Sequence, residues 1–443
     1  MPRRVAIVGA AGRDFHDFNT VFRGRDEVKV VAFLAIGGQN IGELEELPDR
    51  RYPAELAGDG YPCGIPIRPA ADLEEVVSTE DVDEIVLSYS DVSHEDVMHQ
   101  ASRALAAGAD VRLIGPDGMM LDANLPVVAV DAVRTGAGKS QASQKIARLL
   151  QERGRAVAVI REPMPYGDLA EQRVQRFETL EDLDDAGVTV EEREEYERHI
   201  EQGNVVFAGV DYAAVLDAAE QEADIILWDG GNNELPFVRP DLHLVLADPH
   251  RAGHELAYHP GETNLRMADY VVINKENTAS QDAVDEVVAN VERVNPDAEI
   301  VHADSVVTVD DPDAVEGTRA VVVEDGPTMT HGGMSRGAGT IAAEQYGAEI
   351  VEPDAAGSIA EVIARYPHLG PVLPAMGYSD EQLQDLAASI DATDAAIVLS
   401  GTPIDLSRLI DVDLPVVDVR YRIENEEPSF ADILDRHADD LGL

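Results

Sequence analysis

Short apolar runs recur along the whole chain, separated by longer stretches in which apolar residues return about every three or four positions. A short apolar run bounded by turn residues predicts a buried strand, whereas the three-to-four spacing predicts an amphipathic helix. Strands that alternate with helices usually form parallel sheets with helices on both faces. The pattern therefore predicts an α/β fold.

Residues 1–124 carry the first set of these alternating elements. The predicted strands are Arg4–Val8, Val28–Ile36, Glu84–Ser88 and Val111–Ile114, with a helix around Val97–Ala107 before the last of them. Gly115–Ala123 is a short connection containing Gly, Pro and Asp, which is typical of a linker. We therefore predict an N-terminal Rossmann-like domain over residues 1–124.

The turn after the first strand lacks a complete dinucleotide-binding signature. Gly9-Ala10-Ala11-Gly12 is a fragment of the G-x-G-x-x-G fingerprint, and the second strand ends in Ile36-Gly37-Gly38-Gln39 without the acid that binds ribose. Four polar residues instead follow the strand at its carboxyl end, where open α/β sheets bind ligands: Arg13, His16, Asp17 and Asn19. We predict that they contact an anionic substrate. The alternative is a surface loop with ordinary polar residues.

The most specific motif lies between residues 125 and 150. A strand predicted at Pro126–Val130 leads into the turn Arg134-Thr135-Gly136-Ala137-Gly138, and a helix then begins at Lys139-Ser140. This order predicts a phosphate-binding loop, in which backbone amides surround the phosphates, the lysine reaches the β/γ oxygens and the serine hydroxyl ligates Mg²⁺. The residues expected to bind the nucleotide are Thr135, Gly136, Ala137, Gly138, Lys139, Ser140 and Gln141.

The loop departs from the usual spacing G-x-x-x-x-G-K-[ST], because Val133 stands where the first glycine is expected. A form longer by one residue places Ala132 there and resembles the dethiobiotin synthetase-like branch of P-loop proteins. The alternative is an ordinary strand-to-helix turn, but the chain has only four lysines and one of them is Lys139. We predict a P-loop NTPase domain over residues 125–443, with a further boundary near residue 300.

A second motif supports the phosphate loop. The apolar run Ala223–Asp229 ends in an acid and is followed by Gly230-Gly231, which is the Walker-B pattern. Asp229 would then lie opposite Ser140, and together these two residues are the predicted Mg²⁺ ligands. Lys139, Arg134 and Asp229 are the predicted catalytic residues.

Two other loops follow predicted strands at positions that suit substrate contact. After Ala156–Ile160 the reactive residues are Arg161, Tyr166 and Asp168; after Leu242–Ala247 they are Arg251 and His254. A zinc site built from His254, His259 and Glu262 is the less favoured alternative. Their spacing matches no zinc motif, and Pro260 and Gly261 interrupt any helix that would align them.

Asn274-Lys275 follows the strand Tyr270–Ile273 and resembles the base-recognition motif N-K-x-D of GTP-binding proteins. Asn274 and Lys275 are therefore predicted to bind the nucleotide. The fourth position is Asn277, which cannot accept two protons as a carboxylate does, so ATP and GTP both remain open.

Beyond residue 300 the alternation continues, with strands predicted near Ala320–Val323, Ala348–Val351, Ala395–Leu399 and Pro415–Val419. His331 lies in a glycine-containing loop suited to an anion, and Gly401-Thr402-Pro403 follows another strand near the expected base. The charged segment Glu178–Gln202 has helical spacing and is predicted to be a solvated helical insertion.

The charge of the chain narrows the possible partners. Of 443 residues, 86 are acidic and 34 are basic, which gives a formal net charge of −52. A uniformly acidic surface is tolerable where salt screens it, so we expect a salt-accumulating host and K⁺ at high concentration. It disfavours nucleic acid and anionic membranes as partners. Cys63 is the only cysteine, and we expect a cytoplasmic protein without disulfides, with a homodimer as one candidate assembly.

Together the motifs resemble the archaeal cyclic 2,3-diphosphoglycerate synthetase family, some of whose relatives are labelled predicted GTPases. The segments that carry the resemblance are GAAGRDFHDFN (9–19), AVRTGAGKSQ (132–141), PMPYGDL (163–169), LWDGGNNE (227–234), HPGET (259–263), INKEN (273–277), EDGPTMTHGGM (324–334) and GTPIDL (401–406).

The resemblance implies a synthetase that uses ATP and Mg²⁺ to cyclise 2,3-diphosphoglycerate and releases ADP and phosphate. On the substrate side it makes Arg13, Arg161, Arg251, His254 and His331 the candidates for neutralising a small anionic metabolite. Catalysis of this kind relies mostly on positioning and charge neutralisation. The main alternative is a regulatory GTPase or ATPase that binds a protein partner.

Overall fold

The computed structural model describes residues 1–36, 50–163, 167–231, 234–330, 333–375, 380–402, 406–425 and 427–443. Its strands are β1 Arg3–Val8, β2 Val28–Ala35, β3 Arg51–Tyr52, β4 Ile65–Pro69, β5 Glu84–Leu87, β6 Val92–Ser93, β7 Asp110–Arg112, β8 Val127–Ala132, β9 Val157–Arg161, β10 Gln175–Phe177, β11 Val205–Ala208, β12 Ile225–Gly230, β13 Leu242–Ala247, β14 Tyr258–His259, β15 Tyr270–Ile273, β16 Glu299–His302, β17 Asp304–Val309, β18 Arg319–Asp325, β19 Glu349–Ile350, β20 Leu373–Ala375, β21 Ile397–Gly401 and β22 Val416–Glu424.

Helices cover the faces of these strands. The α-helices are α1 Arg13–Asp17, α2 Ala54–Ala57, α3 Leu73–Thr79, α4 His94–Ala107, α5 Pro116–Met119, α6 Lys139–Glu152, α7 Leu180–Ala186, α8 Val190–Glu201, α9 Tyr212–Ala219, α10 Gly261–Met267, α11 Gln281–Val294, α12 Pro312–Val315, α13 Gly326–Thr330, α14 Ala338–Tyr346, α15 Gly357–Arg365, α16 Asp380–Ala392, α17 Leu406–Leu409 and α18 Phe430–Arg436. In the described part of the chain, no helix combines the length and apolarity needed to cross a bilayer.

Within the ranges given above, the strands form three mostly parallel sheets and one antiparallel pair, β14 with β6, which confirms the predicted α/β fold. The first sheet has the order β3-β4-β2-β1-β5-β7, the second β10-β11-β9-β12-β8-β13-β15-β16, and the third β17-β22-β21-β18-β19 with β20 beside β18. Apolar runs predicted nearly all the long strands within a few residues. They did not predict β17, because only half of its side chains alternate into a core and the others face outward.

The first and second sheets share one hydrophobic core. A single cluster of buried side chains extends from Val5, Phe15 and Phe33 to Trp228 and Phe237. Phe237 stacks on the ring of His16 with 4.2 Å between centroids, and it meets Trp228 at 4.9 Å. These aromatic contacts fix the carboxyl end of β1 against the carboxyl end of β12.

The third sheet is inserted between two elements that belong to the second. The chain leaves the second sheet after β16, builds the third sheet, and returns with α18, whose Phe430 and Ile433 are buried in the core of the second sheet. Lys145 of α6 contacts the end of β22 and the segment after it. Its ammonium group donates to the carbonyl of Ile423 at 3.1 Å and to Asn425 Oδ1 at 2.9 Å.

The order of the second sheet places the sequence motifs together. β8, which leads into the glycine loop, lies between β12 and β13, and β9 lies next to β12. The carboxyl ends of these parallel strands therefore meet at one edge, which carries the glycine loop, Asp229, Asp248 and Arg161.

We expect Phe237→Ala to destabilise the first and second sheets together, because its ring fills the core that they share. Truncating a buried phenylalanine costs about 3–5 kcal/mol. Guanidinium unfolding followed by fluorescence of Trp228 and by circular dichroism should show one transition displaced to lower denaturant concentration. The control Leu113→Ala, at a side chain that is 47% exposed, should leave the midpoint nearly unchanged. Separate transitions for the two sheets would contradict the shared core.

Candidate active site

The glycine loop joins β8 to α6 in the conformation that anion binding requires. Gly136 and Gly138 have φ values of 80° and 105°, a region that side-chain-bearing residues rarely adopt. A methyl group at Gly138 would also overlap the side-chain amide of Asn274. α6 begins at Lys139 without a side-chain cap, so its first amides point toward the loop. Such a helix N-terminus favours a phosphate.

Residues from the first sheet brace one side of this loop. Asp91, in the connection after β5, accepts hydrogen bonds from Arg134 Nε at 2.6 Å and from the amide of Thr135 at 3.3 Å. The Arg134 guanidinium lies 3.7 Å from the ring centroid of Tyr258 and donates to His254 Nδ1 at 2.8 Å. Arg134 and His254, predicted as catalytic and substrate residues, thus meet beside the loop.

Asp248 braces the other side. Its carboxylate is buried and accepts from Arg251 Nη2 at 3.0 Å and from Lys275 Nζ at 2.9 Å. The same two cations donate to carbonyls of the loop, Arg251 to Thr135 at 2.8 Å and Lys275 to Gly136 at 2.6 Å. Burial alone would raise the pKa of Asp248, but the charges of Lys275 and Arg251 outweigh it and lower the pKa to about 2.

The predicted base-recognition residues have structural roles in this arrangement. The Asn274 amide is fully buried and donates to the carbonyl of Ala137 at 3.0 Å. Asn277 donates to the carbonyl of Ser305 at 3.0 Å and accepts from its amide at 3.2 Å. Asn274 therefore stabilises the loop, and Asn277 holds the start of β17 against the second sheet.

Asp229 lies at the centre of a buried charge network. It accepts from Lys139 Nζ at 2.9 Å, from Arg161 Nη1 at 2.5 Å and from His199 Nε2 at 3.2 Å. Burial acts to raise the pKa of Asp229, yet the charges of Arg161 and Lys139 hold it well below its ordinary value. Asp229 is therefore an anion in direct contact with the lysine of the glycine loop.

These residues fit a Mg²⁺–nucleotide complex. Ser140 lines the cavity next to the loop and supplies a hydroxyl oxygen, and the ionised Asp229 supplies carboxylate oxygens, which are the hard ligands that Mg²⁺ prefers. Because Asp229 already accepts from three donors, it is better placed to hold a metal-bound water than to ligate the ion directly. The predicted roles of Ser140 and Asp229 at the metal stay predictions.

Helix α8 contributes residues that the sequence pattern placed in solvent. Tyr196 and His199 are fully buried, and Glu195 forms an ion pair with Arg161. Tyr196 also donates from its hydroxyl to the carbonyl of Glu162 at 3.0 Å. The prediction of a solvated insertion over Glu178–Gln202 is therefore wrong for α8. The capping box at Thr189 and the apolar pair at positions 196 and 200 were the signals of a packed helix.

The loop opens into a cavity of about 330 Å³ whose opposite wall is the third sheet. On the loop side the cavity is lined by Arg134, Lys139, Ser140, Gln141 and Lys275; on the other side by Val307, Glu324, Arg336, Ile341 and Tyr421. Arg198 of α8 reaches between the two walls, with its guanidinium 5.6 Å from the Tyr421 ring. The sequence predicted substrate contacts after the first strand, at Arg13, His16, Asp17 and Asn19, whereas this cavity lies between the second and third sheets.

The residues predicted near β1 do not line this cavity. His16 is buried against Phe237 and its Nε2 lies 2.8 Å from the carbonyl of Met119, while Asp17 accepts from Ser88 at 2.7 Å. Arg13 Nη1 lies 3.1 Å from His259 Nε2, and Asn19 donates to the carbonyl of Val210 at 3.0 Å. These contacts hold the first sheet on the second, although Arg13 Nε, His16 Nδ1 and Asp17 Oδ1 have no hydrogen-bond partner among the described residues.

The remaining predicted substrate residues lie in several places. Arg161 is buried beneath Asp229, and Arg251 braces the loop. Asp168 is exposed and accepts from the amide of Ala170 at 2.8 Å, as in a local turn. Tyr166 and His331 lie outside the described residues, so their predicted roles stay predictions.

Comparisons with known proteins agree on one family. A family model described as cyclic 2,3-diphosphoglycerate synthetase, P-loop domain, matches residues 201–304. Arginine synthetase ArcE of Thermococcus kodakarensis is 54% identical over 440 residues, covering 98% of this chain and 97% of that protein. A cyclic 2,3-diphosphoglycerate synthetase of Thermococcus sibiricus is 24% identical over 295 residues, covering 62% of this chain and 66% of that protein.

Solved structures show a weaker likeness. LpxK from Aquifex aeolicus in complex with ATP matches 72% of this chain and 90% of its own, with 14% identity and a TM-score of 0.41. Cobyrinic acid a,c-diamide synthase from Mycobacterium smegmatis, with a bound ATP analogue and magnesium, matches 41% of this chain and 72% of its own, with 17% identity and a TM-score of 0.19.

We expect Asp248→Asn to weaken both folding and nucleotide binding, because it leaves Lys275 and Arg251 buried without their carboxylate. The pKa of about 2 lies below the ordinary value of 3.8, so the stabilisation is complete above pH 3.8 and is lost as the pH falls toward 2. At pH 7 the variant should lose about 2 kcal/mol of unfolding free energy and bind ATP about tenfold more weakly.

Chemical denaturation and calorimetric titration with ATP measure these two effects. Asp241→Asn is the matched control, because Asp241 accepts one backbone hydrogen bond at the amino end of the same strand. If Asp248→Asn bound ATP like the unsubstituted protein, the bracing role of Lys275 and Arg251 would be refuted.

Proposed function

Because the chain belongs to the P-loop synthetase family that contains cyclic 2,3-diphosphoglycerate synthetase and arginine synthetase ArcE, we propose that it is an ATP- and Mg²⁺-dependent ligase that forms arginine. The observation that carries the proposal is the 54% identity to ArcE over nearly the whole length of both proteins. The relative named for the cyclic product is 24% identical and matches 62% of this chain.

The pairing of two predicted substrate arginines also argues against 2,3-diphosphoglycerate as the substrate. A substrate with two phosphates requires several cations directed at it. Two of the arginines predicted for that purpose are paired within the protein: Arg161 with Asp229 and Glu195, and Arg251 with Asp248. Their guanidinium groups serve the nucleotide loop and its supports.

The simplest reaction that makes arginine with ATP starts from the corresponding ureido amino acid and ammonia. The ureido oxygen attacks the γ-phosphorus and ADP leaves; ammonia then adds to the ureido carbon, and phosphate departs with the former ureido oxygen. One ATP is thus converted to ADP and phosphate for each guanidinium formed. Both steps need two reactants held in line and little other chemistry from the protein.

The described residues divide this work among them. The amides of the glycine loop and the N-terminus of α6 bind the phosphates. Lys139 contacts Asp229 and is placed to contact the γ-phosphoryl group when the nucleotide binds. Mg²⁺ held near Ser140 and Asp229 would neutralise the nucleotide oxygens. Arg198 and residues of the third sheet line the cavity opposite the glycine loop.

We expect purified protein in high KCl, given ATP, Mg²⁺, L-citrulline and ammonium, to yield arginine, ADP and phosphate in equal amounts. Lys139→Ala should abolish the reaction because it removes the cation of the glycine loop. Product arginine is measured by mass spectrometry and ADP by a coupled assay. GTP in place of ATP tests the choice of base, and NaCl in place of KCl tests the predicted need for K⁺.

Two other results would decide against this function. A cyclic product formed from 2,3-diphosphoglycerate, with no arginine from citrulline, would establish the diphosphoglycerate reaction. Nucleotide hydrolysis that no metabolite stimulates would favour a regulatory NTPase. The cytoplasmic location, the salt-rich host and the homodimer stay predictions.

A further inference from the structure

Three carboxyl side chains meet where the first sheet touches the second: Asp14, Glu162 and Glu234, here called the acidic cluster. Glu162 follows β9, and its amide donates to the carbonyl of Gly230 at 3.3 Å. Its carboxyl group lies between Gly12 and Gly231, and a methyl group at either glycine would overlap it. Since Gly230 follows Asp229 directly, the acidic cluster adjoins the inner end of the nucleotide site.

Burial raises the pKa of all three members of the acidic cluster. Burial, opposed by backbone hydrogen bonds, raises the pKa of Asp14 to about 7. Burial is also the main cause that raises the pKa of Glu162 to about 8; a hydrogen bond with Glu234 acts against it, and the charge of Asp14 adds to it. Glu234 has a pKa raised well above its ordinary value by burial and then by Glu162. Without a cation beside them, these groups tend to keep their protons.

Neutral polar groups next to the cluster also have unused hydrogen-bonding capacity. Asn264 is fully buried and donates to the carbonyl of Glu234 at 2.7 Å, yet its Oδ1 has no hydrogen-bond partner among the described residues. The Tyr212 hydroxyl, on a side chain that is 2% exposed, likewise has none, and neither has Glu234 Oε2. These three buried oxygens lack hydrogen-bond donors among the described residues, which is costly unless a donor binds.

The charges of Arg13 and Arg161 lower the pKa of Glu234 and Glu162, but the hydrogen bonds of these two arginines go to other groups. Arg13 contacts His259 and the carbonyl of Ile114, and Arg161 is paired with Asp229. A metal ion does not fit the observations, since the described residues contain no group of three His, Cys, Asp or Glu side chains with the geometry to hold one. The missing partner therefore has several N–H donors and a positive charge.

We propose that the acidic cluster binds the nitrogen cation of the reaction, which is ammonium before the bond forms and the guanidinium group of arginine afterwards. This inference rests on the proposed function for the identity of the cation. An ammonium ion that enters gives one proton to a carboxylate of the cluster, and neutral ammonia remains as the nucleophile. Glu162 connects the cluster to the nucleotide site through its amide hydrogen bond to the carbonyl of Gly230, the residue that follows Asp229.

Binding of the cation should release protons, because it favours the ionised form of carboxyl groups with raised pKa values. Calorimetry at pH 7 in two buffers of different ionisation enthalpy measures this release. One arm titrates ammonium chloride against KCl at constant ionic strength, and the other titrates L-arginine. Binding of ammonium but not of L-arginine assigns the cluster to ammonium, and binding of L-arginine assigns it to the guanidinium group.

Glu234→Gln should weaken binding of the cation at least about tenfold and reduce the proton release, while ATP affinity stays unchanged. The matched control is Glu255→Gln. Glu255 is a buried glutamate with a raised pKa, accepts a hydrogen bond from Asn290 at 2.6 Å, and lies outside the cluster. Unchanged cation binding in Glu234→Gln, or no binding of either cation to the unsubstituted protein, would overturn the proposal.

The binding measurements do not require turnover. A failure of the proposed function can therefore be distinguished from a failure of the acidic cluster. Cation binding without arginine formation would refute the proposed function and keep the cluster. Arginine formation with an unchanged KM for ammonium in Glu234→Gln would refute the cluster and keep the function.

A stability measurement tests the cluster independently. The raised pKa of Glu162 stabilises the folded protein below the ordinary value of 4.5, and that stabilisation is lost as the pH rises through about 8. Glu162→Gln should therefore flatten the fall in melting temperature between pH 5 and pH 8.5 and melt higher than the unsubstituted protein at pH 8.5. Adding ammonium should raise the melting temperature of the unsubstituted protein but not that of the variant. A pH profile identical to that of the unsubstituted protein would contradict the arrangement described.

Discussion

Two buried aspartates, Asp229 and Asp248, position the cationic side chains around the glycine loop. Asp229 holds Lys139 and Arg161, and Asp248 holds Lys275 and Arg251. An unpaired buried cation or carboxylate lowers the free energy of unfolding. A buried ion pair avoids this loss where the two groups lie close together and make further hydrogen bonds. Each aspartate thereby fixes two cations at the edge of the second sheet, within reach of the loop carbonyls or of a phosphate.

The chain has 86 acidic residues but only four lysines, and each lysine occupies a specific internal position. All four lysines make specific internal contacts: Lys139 with Asp229, Lys275 with Asp248, Lys145 with Asn425, and Lys29 over the ring of Tyr61 at 3.7 Å. Lysine is retained where a flexible point charge is needed, and arginine fills the sites that need a planar group. An acidic surface can therefore coexist with a site rich in positive charge.

The sequence predicted the features that depend on local order. Periodicity identified the α/β fold, and spacing identified the glycine loop and the acid at the end of β12, because a strand, a turn and a helix are contiguous in the chain. It could not assign partners across the fold. Arg13 and His16 resembled ligand-binding residues, but whether a polar side chain faces a ligand or another buried group depends on elements far away in the sequence.

Helix α8 and the third sheet illustrate the same limit. The charges of α8 suggested solvent, yet Glu195 and His199 pair with buried residues of two other strands. Nothing local indicated that residues after 304 would return to cover the glycine loop, since that closure depends on β22 and α18 rejoining the second sheet. The acidic cluster escaped notice for this reason too: its members come from the ends of three separated segments.

The return of α18 to the second sheet has a practical consequence for dissecting the molecule. Since the third sheet enters at Asp304 and leaves before Phe430, it behaves as an internal loop anchored at both ends rather than as a tail. A stop codon after residue 303 would remove Phe430 and Ile433 from the core beneath α6, together with the third sheet that lines the cavity. Only excision with a short bridge from 303 to 429 could isolate the nucleotide loop without opening the core on which it stands.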